Sequence, residues 1–367
     1  MYLQSLSVLD YKNIALAEFE FSAKLNCFLG NNGAGKTNLL DAIYYLSFTK
    51  SFFTAVDAMN VRHDCQMFGL QGAYKNDEGA GEQVSVGYRL NQKKQVKRNG
   101  KPYKRFSEHI GLYPLVMVSP SDTSLIIGGS EERRKFMDGV ISQFDNTYLD
   151  ALLRYNRVLL QRNNLLKIFY AENRFDQDTL SIYNDQLHEY GSRIFERRKA
   201  FIAEITPVFQ TFYEHISGGN ESVELDYQSS LFDGLLCDQL DVNQGKDRVV
   251  QFTSVGVHKD DLLLNLGNYP MKKVGSQGQT KTYLVALKLA QFEYLKKQSG
   301  ITPLLLLDDV FDKLDAGRVE KIIHLVSEEK FGQIFLTDTN REHLENIIAK
   351  VGSHYRIFRI NNGELVL

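Results

Sequence analysis

The chain lacks several features that would have set its class at once. Its 367 residues hold only three cysteines, Cys27, Cys65 and Cys237. They are odd in number and far apart, so they form neither a CxxC metal pattern nor a disulfide framework, as suits a reducing compartment. No apolar run approaches the ~20 residues a membrane span needs. The opening MYLQSLSVLDYKNI has no basic stretch followed by an apolar core, so a secretory signal is not expected. Internal repeats and low-complexity linkers are also missing. Nor does one sign of charge dominate: 43 Lys and Arg against 45 Asp and Glu leave a net charge of −2, so any surface that attracts nucleic acid must be local. With 43% hydrophobic and 24% charged residues, the expectation is a soluble cytoplasmic protein of one large or two ordinary domains.

What is present follows a two-ended pattern. YLQSLSVLDYKNIALAEFEFS alternates as strands do, and LNCFLG reads as a buried strand ending on glycine. KTNLLDAIYYLSF reads as a helix. From Val84 to Arg105 the pattern is again strand-like, with a hairpin signal at Asn99-Gly100. From Glu131 to about Gln210 the chain turns helical. Near the other end PLLLLDD and QIFLTDT read as strands, Val319 to Val326 and REHLENIIAKV as helices, and YRIFRINNGELVL as a hairpin turning at Asn362-Gly363. The expected fold class is α/β. One lobe, 1–125 with 300–367, takes strands from both ends of the chain, and a mostly helical second lobe, 126–299, is inserted.

Gly30-Asn31-Asn32-Gly33-Ala34-Gly35-Lys36-Thr37 fits GxxxxGK[ST] in full, between an expected strand and an expected helix. Glycines let backbone N–H groups curl round phosphate oxygens, and the helix N-terminus adds its positive end. Lys36 then reaches the β- and γ-phosphates, and Thr37 offers a hydroxyl to Mg²⁺; Asn38 completes the nucleotide-binding set. Leu304 to Leu307 run into Asp308-Asp309. Beside a P-loop the first carboxylate holds the metal, and the second can orient and deprotonate water, which points to ATP hydrolysis. Lys36 and Asp309 are the catalytic candidates, and Thr37 and Asp308 the metal ligands.

Ser276-Gln277-Gly278-Gln279 opens a long helix with the S-x-x-Q spacing of a capping box. The bland reading is a well-capped helix. A helix end with a free hydroxyl and a glycine that allows close approach is also an anion site.

In order, GNNGAGKT, the SQGQ helix, LLLLDD and Asp312-Lys313-Leu314-Asp315 resemble the motifs of ABC-type ATPase heads, related to the SMC and Rad50 proteins. SQGQ resembles the signature, with Gly275 where leucine is usual, and DKLD resembles the D-loop. The middle of the chain carries the finer likeness, to the RecF family along essentially its whole length: Tyr11-Lys12-Asn13, Ser119-Pro120-Ser121-Asp122, Gly129 to Asp138, Arg162 to Leu166, and Gly256 to Leu262. Val257 stands where that family usually has proline. Val116 occupies the Q-loop region, so no Q-loop residue is named. No switch histidine follows QIFLTDT, where Thr337 and Asp338 stand.

The resemblance implies an ATP-induced homodimer in which Ser276, Gly278 and Gln279 of one copy meet the γ-phosphate held by another. Asp315 would link the sites, and Lys12 would touch the nucleotide. It also implies recombinational repair of single-strand gaps with RecR, RecO and RecA, and slow hydrolysis from Asp309 in place of the usual glutamate. A short SMC-like or overcoming-lysogenization-defect-type ATPase and a P-loop kinase are the alternatives. For sequence-independent DNA binding the candidates are Lys93, Lys94, Lys97, Arg98, Lys101, Lys104 and Arg105, then Arg133 and Arg134, with a further cluster at Arg193 to Lys199. Each cluster is equally readable as a solvated face, and Arg133 and Arg134, which fall inside a family motif, are also readable as part of the lobe packing or the head interface.

Overall fold

The computed structural model describes residues 1–76, 79–219, 221–312, 314–339 and 354–366. Lys313 of the expected D-loop and the helix expected from Arg341 to Val351 lie outside them. The chain divides into two compact units. One is Met1–Asp122, Phe212–Asn220 and Ser276–Leu367; the other is Thr123–Thr211 and Glu221–Gly275. The helix Gln277–Ser299 thus clusters with the first unit, whereas the sequence-based division runs the second lobe to 299. The reason is contact: this helix packs on the strand Leu115–Val118, and among its residues Tyr283, Leu287, Ala290 and Leu295 are fully buried.

The first unit holds two six-stranded sheets. One runs Glu364–Val366, Tyr355–Asn361, Leu25–Leu29, Ile334–Asp338, Leu304–Asp308, Leu115–Val118, parallel except for its terminal hairpin. The strands Leu25–Leu29, Ile334–Asp338 and Leu304–Asp308 are buried almost throughout, as a sheet covered on both faces requires. The other sheet is antiparallel and starts from the paired strands Tyr2–Tyr11 and Ile14–Glu20. Leu39, Ile43 and Leu46 of the helix Lys36–Phe48 join one core with residues from both sheets. At its centre Phe19, Phe21, Phe28, Phe335 and Phe358 meet edge to face or stacked, an arrangement worth more than its buried area alone.

Both expected hairpins form. Asn99 and Gly100 have φ of 49° and 77°, and Asn362 and Gly363 of 49° and 82°, the paired positive values of a tight turn that matches strand twist.

The second unit is mostly helical: Ser130–Ile141, Asn146–Ala171 and the long helix Gln177–Ser217 as far as Thr211, with a small antiparallel sheet of Val223–Gln228, Asp261–Leu266 and Tyr269–Pro270. It is built around buried ions. Arg162 donates to Asp247, Asn184 and Thr253, and Arg198 to Asp138, Asp260 and the Val257 carbonyl. No helix among the described residues is long and apolar enough to cross a membrane.

Candidate functional site

Three neighbouring parallel strands end side by side, and their carboxyl ends carry the chemistry, as open α/β sheets dispose it. Leu25–Leu29 leads into the phosphate loop, Leu304–Asp308 ends on the acidic pair, and between them Ile334–Asp338 pairs Thr337 with Asp308 in register.

The loop's glycines are needed where backbone crowds it. Gly35 starts the helix at φ 109°, and a Cβ there would lie 2.9 Å from the Asn13 side chain. At Gly30 a Cβ would stand 2.3 Å from the Ile360 carbonyl oxygen. Lys36, only 4% exposed, folds back across the loop and donates to the carbonyls of Gly30 (2.7 Å) and Asn31 (3.1 Å). Asn38 donates to Asn13 at 2.7 Å.

Asp308 is 3% exposed. Its Oδ1 accepts from Thr37 at 2.9 Å and from Thr337 at 2.8 Å. Burial pushes its proton affinity up, the hydroxyls of Thr337 and Thr37 oppose that, and the neighbouring Asp309 adds to it. Asp309 is likewise raised by burial, against the pull of Lys36. Its backbone sits at φ 44°, uncommon for a residue with a side chain. The conformation is held from both sides: its N–H donates to Thr337 Oγ1 at 3.0 Å, and its carbonyl accepts from Lys281 Nζ at 2.9 Å.

A buried carboxylate of raised proton affinity, with a threonine hydroxyl in contact, suits a hard cation that takes its remaining oxygens from water and phosphates. Thr37 and Asp308 would hold such an ion. No group of three or more His, Cys, Asp and Glu is disposed for a metal among the described residues.

At the signature segment the capping box forms. Ser276 Oγ accepts from Gln279 N at 3.2 Å, and Gln279 Oε1 from Ser276 N at 2.8 Å. Ser276 is exposed. Gly278 leaves room for a guanidinium, since a Cβ there would lie 3.0 Å from Arg318 Nη1. Asp315 caps the helix Ala316–Ser327 and pairs with Arg318 at 3.3 Å. Gly275 has a packing reason to replace leucine, because a Cβ would press on Met271 at 2.8 Å.

The remaining sequence candidates divide. Lys12 is tied to Asp41 at 2.5 Å, beside Tyr11 and Ser51, which also donate to that carboxylate. Among the hairpin's basic residues Lys94 is taken by Asp57, Arg98 by Glu82 and Arg105 by Glu108. Lys93, Lys97, Lys101 and Lys104 have no ion pair among the described residues. Arg133 is buried on Asp261, and Arg134 donates to the Asp260 carbonyl. Arg193, Arg197 and Arg198 pair with Glu189, Asp145 and Asp138. Arg133 and Arg198 thus turn inward to stabilise their own unit, the lobe-packing alternative for Arg133. Thr337 and Lys281 are the positions for which the sequence suggested no role. The only local signal was a hydroxyl near the expected switch position and a cation one turn into the signature helix.

This fold and this arrangement of P-loop, paired aspartates and capped signature helix define an ABC-type ATPase head. The sequence matches the family described as RecF/RecN/SMC N terminal domain over residues 2–364. The chain belongs to that family and, within it, to the RecF group of DNA replication and repair proteins. It is 54% identical to the DNA replication and repair protein RecF of Phocaeicola vulgatus, over 100% of this chain and 98% of the relative. Against the RecF of Flavobacterium johnsoniae the identity is 51%, over 98% and 100%. A solved structure of the recombination mediator RecF with ATP, from the RecFOR pathway, superposes with a TM-score of 0.88 at 31% identity, covering 100% of this chain and 97% of that one. An Smc head bound to the C-winged helix domain of ScpA shares the fold at 15% identity, with a TM-score of 0.59 over 100% and 97%.

Proposed function

We propose that the chain is an ATP-driven DNA clamp of recombinational repair. It dimerises on ATP, holds DNA without reading its sequence, and lets go on slow hydrolysis. The observation that carries this reading is the set Thr37–Asp308–Thr337–Asp309 at the mouth of the phosphate loop. Nucleotide binds to the backbone of Gly30 to Thr37 and to Lys36, whose Nζ exchanges the Gly30 and Asn31 carbonyls for phosphate oxygens. Thr37 and Asp308 hold Mg²⁺, which supplies charge neutralisation at the phosphates. Asp309, kept in a fixed backbone geometry by Thr337 and Lys281, orients the attacking water and accepts its proton. An aspartate reaches less far than glutamate, which suits a timed switch rather than fast turnover.

The exposed, capped end at Ser276 supports the trans role of Ser276, Gly278 and Gln279, with Asp315 between the two composite sites. A solved RecF structure with ATP supports the choice of nucleotide, and the name of its RecFOR pathway agrees with RecO and RecR as partners; RecA as the protein loaded at gaps rests on the family resemblance alone. A P-loop kinase would leave the signature segment without a task.

Sedimentation with a non-hydrolysable ATP analogue, with and without duplex DNA, tests the reading. Wild type is expected to dimerise with the analogue. Ser276→Arg is expected to bind ATP as a monomer and fail to dimerise; dimers that persist in that variant, or a wild type that stays monomeric at micromolar concentration, overturn the composite site.

A further inference from the structure

The first unit has a cavity that the nucleotide site does not use. It measures about 510 Å³, within the ~300–1,000 Å³ of small-ligand pockets. Three rings line it, Tyr88, Tyr103 and Phe106, together with three lysines, Lys93, Lys94 and Lys104. Gln92 and Gln95 add exposed amides able to meet the polar edge of a ligand.

The charges are not equivalent. Lys94 is committed to Asp57, to the Thr49 carbonyl and to Tyr45, so it builds the wall. Lys93 and Lys104 are exposed and carry no ion pair among the described residues. The cavity's available charge is therefore positive. Its main ring is also held in place. His109 can meet the Leu46 carbonyl (2.6 Å) only by donating from Nε2, which leaves Nδ1 to accept the Tyr103 hydroxyl at 3.1 Å. A ring fixed in this way loses little entropy when a planar ligand packs on it.

We propose that this cavity takes an unstacked base of single-stranded DNA, with the flanking phosphates on Lys93 and Lys104. Aromatic rings beside a basic track are the means by which proteins hold single strands without sequence preference. A polymer is favoured over a free nucleotide because a further unpaired lysine, Lys97, stands just outside the cavity on the strand Gln95–Arg98, in register with Pro102 of the cavity wall. A duplex is disfavoured because its bases must first be unstacked and turned out. The proposal rests on the DNA-clamp reading and gives the clamp a place where an unpaired strand differs from a paired one.

The test compares a fluorescent oligothymidylate with a blunt duplex of equal length, bound to the full chain at fixed salt in the presence of the non-hydrolysable ATP analogue. Tyr103→Ala is expected to lose about tenfold in single-strand affinity while duplex affinity holds within about twofold, and Tyr103→Phe, which keeps the ring but loses its tie to His109, is expected to fall between wild type and Tyr103→Ala. Because Tyr103 is half-buried, the surface pair Lys93→Glu/Lys104→Glu provides a second route and is expected to weaken single-strand binding as well. Unchanged single-strand affinity in both Tyr103→Ala and the lysine pair overturns the proposal while the clamp reading stands. A wild type that binds neither DNA sinks both. Thymidine monophosphate that competes as well, per nucleotide, as the oligomer assigns the cavity to a free nucleotide and overturns the strand reading.

Discussion

The hydroxyl of Thr337 stands between two carboxylates that would otherwise repel. It donates to Asp308 and accepts from the backbone of Asp309, so one small group stabilises the ionised form of the first and the orientation of the second. Burial raises the proton affinity of Asp308, and the Thr337 hydrogen bond is the foremost influence that lowers it. Thr337→Val keeps the shape and removes the donor. A hydrogen bond to a charged group contributes about 1.5–3 kcal/mol, so ATP turnover should fall roughly tenfold or more. The sign of the pH effect follows: without the donor the Asp308 carboxyl gains protons more readily, so the acidic limb of the turnover profile moves to higher pH. Thr337→Ser should restore both. A Val variant whose profile overlies wild type would show that this hydroxyl is only filler.

At the scale of elements, Gln333 explains how the two ends of the chain become one unit. The pairing of Tyr2–Tyr11 with Ile14–Glu20 stops at Ser5 and Glu20, which leaves backbone groups of Leu3 and Ser22 without a strand partner on that side, in a buried place. The Gln333 amide takes them up: Oε1 accepts from Leu3 N at 2.7 Å, and Nε2 donates to the Leu3 and Ser22 carbonyls at 2.8 Å each. Each buried polar group left without a partner costs about 1–3 kcal/mol, so Gln333→Ala should lower the unfolding free energy by several kcal/mol, and the denaturation midpoint with it. Loss of under about 1 kcal/mol by urea titration would mean that water replaces the amide. The same pair shows why the sequence was only partly legible. The phosphate loop, the capping box and the Asn-Gly turns were readable because each is closed by neighbours along the chain. Gln333 meets Leu3 across a separation of 330 residues, and Thr37 meets Asp308 across 271; no local pattern announces such partners. Burial decides between readings that the sequence leaves open. A run such as Arg133-Arg134-Lys135 is basic in sequence, yet Arg133 lies inside the second unit against Asp261.

For the molecule as a whole, the question is how a chain of net charge −2 could hold a polyanion. It would have to do so with charges that its own carboxylates leave over. Along the hairpin region, Lys97 and Lys101 have no ion pair among the described residues, whereas Arg98 is engaged by Glu82, which Tyr113 also contacts. Counterion release counts only cations that reach phosphates, and each adds ~0.9 to the slope of log affinity against log salt on duplex DNA. Lys97→Gln and Lys101→Gln should each lower that slope by about this amount, and the pair by about twice as much, with no change in sequence preference. Arg98→Gln should lower it less, because releasing the guanidinium from Glu82 offsets what the phosphate would gain. The measurement is a salt titration of duplex binding in the presence of the ATP analogue. If Arg98→Gln flattens the slope as much as Lys97→Gln does, internal pairing does not decide which cations meet DNA.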